Sequence, residues 1–355
     1  MSAERAADIA ADLARLIDLV EQLSRQTIVM LGDFVADEFV SGEISRVSRE
    51  APVLILQHRD TQTLPGGGAN AANNLADLGA RVRPVAALGD DAAGDALVEY
   101  FRRKGVETSG LVRVRGWVTP TKSRFLAGWA HTARQQVLRV DREPHGELTK
   151  SAAETLTRKA RERLKGASGV VVSDYGYGSA TPELLRAIRG RAAWPAPVAL
   201  DSRYRLHEYA GLGLAAATPN EAEIEAAHQQ TIGGDRERLE GLARRTMTRL
   251  GIPALVVTRG RDGMMVFERG RPTQSLAVFG SDQAVDVTGA GDTVIAVFSL
   301  ALAAGATLIE AAQIANYAGG IVVMKRGTAT VTRDELIHAI RSDATGQVGA
   351  AGGGA

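Results

Sequence analysis

Short, nearly all-apolar runs recur along the chain, and each ends on a polar residue that is usually an acid. Thr27-Ile28-Val29-Met30-Leu31 leads into Gly32-Asp33, and Val82 to Leu88 into Gly89-Asp90-Asp91. Gly169-Val170-Val171-Val172 leads into Ser173-Asp174, Val198-Ala199-Leu200 into Asp201, and Ala254-Leu255-Val256-Val257 into Thr258. Such continuity predicts strands buried on both faces. Between them, apolar residues fall at helical spacing over 92–104, 156–164, 182–188, 220–228 and 235–250. Strands alternating with helices predict an α/β fold, a three-layer, mostly parallel sheet with helices on both faces. Ligands in such folds bind at the carboxyl ends of the strands. Here those ends carry Asp33, Asp90, Asp174, Asp201 and Thr258.

Two stretches break the alternation. Residues 34–63 and 119–141 are rich in alternating Val, Ile, Thr and Ser, which predicts short strands forming a small β lid. In the second, Thr121 to Leu126 and Gln135 to Val140 predict a hairpin with a Gly128-containing turn. Residues 1–26 carry an amphipathic helix (Ile9, Leu13, Leu16, Ile17, Val20, Leu23) expected to lie on the body of the protein. One domain is expected over 27–341. The Gly- and Ala-rich residues 342–355 are expected to form a flexible tail.

Two glycine turns carry the candidate chemistry. Asp286-Val287-Thr288-Gly289-Ala290-Gly291-Asp292 opens a long helix of small and apolar residues. A glycine turn at a helix start aims backbone amides at one spot and adds the positive end of the helix dipole, so it can hold a phosphoryl group. Asp292 in that first turn is either a cap or, beside an anion cradle, the acceptor of a hydroxyl proton. Earlier, Pro65-Gly66-Gly67-Gly68 precedes a helix Ala69 to Leu78 that Gly79 stops. This turn satisfies G-x-G-x-x-A, the dinucleotide fingerprint, but Asp60 to Pro65 separate it from the preceding apolar run, which argues against that reading. No GxxxxGK[ST] is present, so the chain is not a P-loop enzyme.

Composition narrows the classes. Lys+Arg 42 against Asp+Glu 41 leaves a net charge of +1, no footprint for nucleic acid or an anionic membrane. Cysteine is absent and the 6 histidines are scattered, which excludes disulfides and thiolate chemistry and argues against a zinc site. No signal peptide or long apolar span is visible, so a cytoplasmic location is expected.

The 66–79 and 286–292 stretches resemble the two signatures of the PfkB (ribokinase-like) carbohydrate kinases, in the family's order. The resemblance runs from about residue 27 to 341. Within the family, Gly32-Asp33, Ile44-Ser45-Arg46, Thr121-Lys122, Gln135-Gln136, Ser173-Asp174-Tyr175 and Thr218-Pro219-Asn220-Glu221 are most similar to the branch acting on D-glycero-β-D-manno-heptose 7-phosphate at its anomeric hydroxyl. No nucleotidyltransferase segment follows residue 341, so a kinase without that second half is expected. Two runs depart from the branch: Ala36-Asp37-Glu38-Phe39 stands for a Leu-Asp-Arg-Tyr-like run, and Asp201-Ser202-Arg203 for Asp-Pro-Lys. These departures bear on the identity of the sugar.

The resemblance implies ATP and Mg²⁺, with Asp292 as base and the amides of Gly289, Ala290 and Gly291 as anion hole. It implies sugar contacts from Asp33, Gly67, Gly68, Asn70 and Asp174, although Asp33 at a strand end could equally cap a turn. Lys122, Arg124, Gln136 and Arg139 on the lid become candidates for a substrate phosphate; as exposed strand residues they could equally be solvated. Arg203, Thr258, Gly260, Gly263 and Asn316 become nucleotide contacts. Asn220 and Glu223 would order metal-bound water, or simply cap a helix. Another sugar, sugar-phosphate or nucleoside kinase of the family, and a non-catalytic sensor on the same fold, stay open. Exposed lid edges make a homodimer through the lid an expectation.

Overall fold

The computed structural model describes residues 3–128, 134–280 and 284–352. Among them, nine strands form one sheet. In chain order they are β1 (Thr27–Gly32), β4 (Arg81–Gly89), β5 (Leu111–Val114), β8 (Gly169–Asp174), β9 (Val198–Ser202), β10 (Ala216–Ala217), β11 (Ala254–Thr258), β12 (Met264–Glu268) and β13 (Gln274–Leu276). Their spatial order is β13-β12-β11-β10-β9-β8-β1-β4-β5, parallel except at the β12 and β13 edge. The mostly parallel three-layer expectation therefore holds. Neighbouring residues of the central strands alternate between two cores: Ile28 and Met30 of β1 face one, Val29 and Leu31 the other. This double burial is why the strands read as unbroken apolar runs.

One face carries α1 (Ala3–Gln22), α2 (Gly68–Asp77), α3 (Ala92–Arg103), α8 (Ala290–Ala303), α9 (Leu308–Val322) and α10 (Arg333–Gly352). The other carries α4 (Lys150–Leu164), α5 (Pro182–Arg189), α6 (Glu221–His228) and α7 (Arg236–Leu250). Leu16, Leu19, Val20 and Leu23 bury the inner stripe of the N-terminal segment in the first core, so it is built into the body. From residue 342, where a flexible tail was expected, α10 continues to Gly352. Ala344, Gln347, Val348 and Ala350 are helix-compatible, and the glycines among them only weaken the run.

The lid is a second sheet of four strands, β2 (Phe34–Val47), β3 (Leu54–Gly67), β6 (Thr121–Gly128) and β7 (Gln135–Arg142), in the order β3-β2-β6-β7. The turn of the expected β6–β7 hairpin falls at 129–133, outside the described residues. The strands of 34–63 are two long ones of 14 residues each, not several short ones. Polar residues such as His58, Arg59 and Asp60 mask β3 because its outer half is solvated on both faces. As a result β3 runs directly into the Gly66–Gly68 turn, contrary to the separation inferred from the sequence. It is an antiparallel lid strand, so the dinucleotide arrangement, which needs a parallel βαβ unit, is still absent.

Candidate active site

β1 and β8 are neighbours whose following connections diverge to opposite sides of the sheet, the switch point where ligands bind in such folds. The lid rises from the end of β1. The starts of α2 and α8 converge over the same spot, since the Asn70 amide donates to the Gly289 carbonyl at 3.3 Å and to Asp292 Oδ2 at 3.2 Å. Asn74 in turn donates to Asn70 Oδ1 at 3.3 Å. Gly289 has φ 79, a left-handed backbone in which a Cβ would also lie 2.4 Å from the Asn70 amide nitrogen, so only glycine fits.

Asp292 is buried in the first turn of α8. Its Oδ1 accepts from the Tyr175 hydroxyl at 2.8 Å. Burial pushes its pKa up to about 7, against the pull of the Tyr175 and Asn70 hydrogen bonds and with a further push from Asp37. A carboxylate poised near neutrality can take a proton from an alcohol. The expected three-amide hole is narrower by one, because the Ala290 amide donates to the Val287 carbonyl at 3.3 Å. The Gly291 and Asp292 amides follow in the first turn, where no intrahelical acceptor exists.

Beside that turn lies a cavity of about 390 Å³. Its lining includes Thr258, Gly260, Gly263 and Asn316 together with Ala290 and Gly291 of the glycine turn. Four predicted nucleotide contacts are thus brought together with the glycine turn. Asn316 is also held in place, its amide donating to the Ala277 carbonyl at 2.7 Å. Gly263 has φ 77 and a Cβ there would sit 2.0 Å from the Leu276 carbonyl oxygen. Gly263→Ala should therefore displace the cavity wall and weaken nucleotide binding by about tenfold or more, the scale of 1–3 kcal/mol of backbone strain; isothermal titration with ATP checks this.

Asn220 and Glu223 form a reciprocal capping box on α6, each bond 2.9 Å, and Asn220 lies outside the cavity lining, bridged to Thr258. Both bonds of the cap are formed. Glu223 nonetheless belongs to an acidic group with half-buried Asp201. Burial raises Glu223 to about 7, and burial with the charges of Glu223, Asp292 and Asp174 pushes Asp201 well above the usual carboxylate range. Arg203 opposes both shifts. No cluster of three or more His or acidic side chains poised to hold a metal ion occurs among the described residues.

On the sugar side, two of the predicted contacts already hold protein partners. Asp33 is buried and both its oxygens are taken by backbone amides: Oδ2 accepts from Tyr175 and Tyr177 at 2.9 Å, Oδ1 from Ser179 at 2.7 Å. Burial, aided by Asp174, lifts its pKa to about 6 against those amides. Asp33 shapes the 175–179 loop. Asp174 is equally committed, accepting from Arg205, Ser202 Oγ at 2.9 Å, Tyr209 OH at 2.8 Å and the Gly176 amide at 2.9 Å. Asn70 steadies the Asp292 turn where a sugar contact was expected.

Asp37 is the acid that the sequence reading left without a role. It is buried on β2, a Cβ on Gly66 would lie 2.4 Å from its Oδ2, and its charge acts on both Asp292 and Lys122. Arg124 is ion-paired to Asp37 and stacked on Phe39, and Arg139 is paired twice to Asp141 at 2.7 and 2.8 Å. Lys122 reaches over the Tyr175 ring at 5.4 Å, and burial lowers its pKa against the pull of Asp37. Gln136 is exposed on β7. Gly67 (φ 54) and Gly68 form the floor, the Gly68 amide donating to the Asp33 carbonyl at 3.0 Å. Tyr175 also escaped the sequence reading as a site residue; its signals were its place after the Ser173-Asp174 strand end and within a run that resembles the heptose branch.

A parallel nucleotide-type sheet, a β lid and an acid at a Gly-Ala-Gly helix start define a sugar-kinase architecture. The chain belongs to the pfkB family of carbohydrate kinases, whose family model matches residues 28–335. It is 41% identical over 323 residues to the "Bifunctional protein HldE" of Mesorhizobium japonicum, covering 88% of this chain and 62% of that protein. The HldE of Caulobacter sp. (strain K31) is 38% identical over 91% of this chain and 64% of its own length. The chain thus spans a little over three-fifths of these relatives. Among solved structures, Arabidopsis thaliana ribokinase complexed with ribose and ATP aligns with TM-score 0.67 at 20% identity, covering 89% of this chain and 99% of that one. Escherichia coli phosphofructokinase-2 aligns with TM-score 0.69 at 18% identity, covering 89% and 98%. At such identities the likeness is one of fold. No helix among the described residues is long and apolar enough to cross a membrane.

Proposed function

We propose that the chain transfers the γ-phosphoryl group of ATP to a sugar phosphate, D-glycero-β-D-manno-heptose 7-phosphate, at its anomeric hydroxyl. The observation that carries the reading is Asp292, a buried carboxylate with a pKa of about 7 at the mouth of α8, between the lid and the 390 Å³ cavity. The HldE relatives support the choice of a heptose phosphate.

In this reading the adenine half of ATP occupies the cavity and its phosphates reach the Gly289–Asp292 turn. Asp292 takes the proton of the attacking hydroxyl. The Gly291 and Asp292 amides and the α8 dipole stabilise charge on the transferring group. Asp37 holds sugar hydroxyls over the Gly66–Gly68 floor, taking the place expected of Asp33. Lys122, with Arg124 and Arg139 behind it, faces the phosphate the substrate already bears. Arg203 serves the nucleotide phosphates. The donor set suits Mg²⁺, which keeps most of its water and needs one or two carboxylates: Glu223 and Asp201 would hold it through water, and Asn220 supports Glu223. That ion supplies neutralising charge to the phosphates.

Measured ADP release across heptose 7-phosphates, hexose phosphates, pentoses and nucleosides tests the proposal. The heptose 7-phosphate should exceed any unphosphorylated sugar by about 10²-fold or more in kcat/KM, because a sugar without the phosphate forgoes the charge-assisted contact with Lys122. Preference for a nucleoside or pentose reassigns the substrate. Ligand binding without ATP consumption makes the chain a sensor.

A homodimer through the lid is part of the proposal. β7 is an edge strand exposed along its whole length, with Val137, Leu138 and Val140 in solvent at 46%, 55% and 43%. Edges of that kind are normally covered. Replacing Leu138 and Val140 by Lys should give a monomer in sedimentation velocity where the native chain sediments as a dimer.

A further inference from the structure

We propose that Tyr175 is a positioning residue for the base: its hydroxyl fixes the Asp292 carboxylate and sets how readily that carboxylate holds a proton. The inference rests on reading Asp292 as the base. The geometry is specific. The Tyr175 hydroxyl donates to Asp292 Oδ1 at 2.8 Å while Asn70 donates to Oδ2 at 3.2 Å, so the two fix the plane of the carboxylate from opposite sides.

The ring is itself held. Its backbone amide donates to Asp33 at 2.9 Å, and a Cβ on Gly67 would lie 3.3 Å from its Cε2, so the bare glycine leaves the space the ring fills. Lys122 from lid strand β6 lies over the ring at 5.4 Å, and Arg203 from the end of β9 at 6.0 Å. Cations at those distances are attracted to an aromatic ring. A single side chain therefore touches the base, the sugar-side lid and the nucleotide-side arginine.

Several groups set the charge on Asp292. Asp37 of β2 raises its pKa, and Lys122 of β6 and the hydrogen bonds from Tyr175 and Asn70 lower it. Asp292 in turn adds to the upward push on Asp201 of β9. Burial and the neighbouring acids keep the Tyr175 hydroxyl protonated, so it is always a donor. Removing that donor leaves the carboxylate form less stabilised. Asp292 then ionises only at higher pH.

The test is Tyr175→Phe, which keeps the ring, its packing and its cation contacts. The acidic limb of the kcat/KM profile, which reports the free enzyme, should move up by about one pH unit. At a pH below the limb this is a loss of about tenfold relative to the native chain, and at a pH well above it the loss largely disappears. Comparing both proteins on the same substrates cancels the titration of ATP itself. An unmoved limb with an even loss at all pH values would make Tyr175 a packing residue and overturn the proposal, as would a downward shift. Asp292→Asn, run alongside, separates the two readings. If it retains near-native turnover, the base assignment fails, whatever Tyr175→Phe does. If it is inactive and the Tyr175→Phe limb is unmoved, only the Tyr175 proposal fails.

Discussion

Asp292→Asn should fold, bind ATP and lose about 10²-fold or more in turnover, the scale of a missing general base. The substitution keeps shape and removes the ability to accept a proton. The helix start and its amides are untouched, so ATP should bind the 390 Å³ cavity with little change. The signature is therefore a fall in kcat with KM for ATP nearly constant, the pattern of an interaction made in the transition state and not in the ground state. Steady-state kinetics by ADP release measure both constants. Near-native kcat would move the proton acceptor elsewhere, and a matching rise in KM for ATP would make Asp292 a nucleotide contact.

The second large effect is on stability. Asp174→Ala should cost about 3–5 kcal/mol, as expected when one partner of a buried ion pair is removed and the other is stranded. Arg205, Tyr209 and Ser202 all donate to that carboxylate, which is almost fully buried. Urea unfolding followed by circular dichroism gives the change. At low temperature the folded fraction should keep its KM for the sugar, because Asp174 has no vacancy for a substrate hydroxyl. A large rise in sugar KM with intact stability would restore Asp174 to the binding site.

The pair Asp174 and Asp37 explains what could be read in advance and what could not. Apolar runs buried on both faces announced β1, β8, β9 and β11 plainly, and the two glycine turns announced the starts of α2 and α8. The acids at the strand ends were just as visible, and the carboxyl-end rule drew attention to them. Asp33 and Asp174 are there because a strand end beside a tight loop exposes backbone amides that need acceptors. That local demand cannot be told from a ligand site by sequence. Asp37, by contrast, is hidden mid-strand in an alternating lid segment, and only the register with β3 and β6 brings it to Gly66 and Lys122. Tyr175 is visible as a residue but not as a partner: 117 positions separate it from Asp292. β10 has only two residues, and β12 and β13 pair antiparallel at the sheet edge, so the parallel βα rhythm did not flag them.

Strand β3 begins at Leu54 on the exposed rim, ends at Gly67 in the active site and continues as α2 without a linker. At about 3.3 Å per residue its 14 residues span roughly 45 Å. The long lid strand and the helix whose Asn70 donates to Asp292 are thus one uninterrupted module. A chimera that exchanges the four-strand lid between sugar kinases should carry β3 and α2 together, with that junction placed after Asp77. A junction at the glycines would divide the module at its hinge, giving the new lid a helix fitted to another.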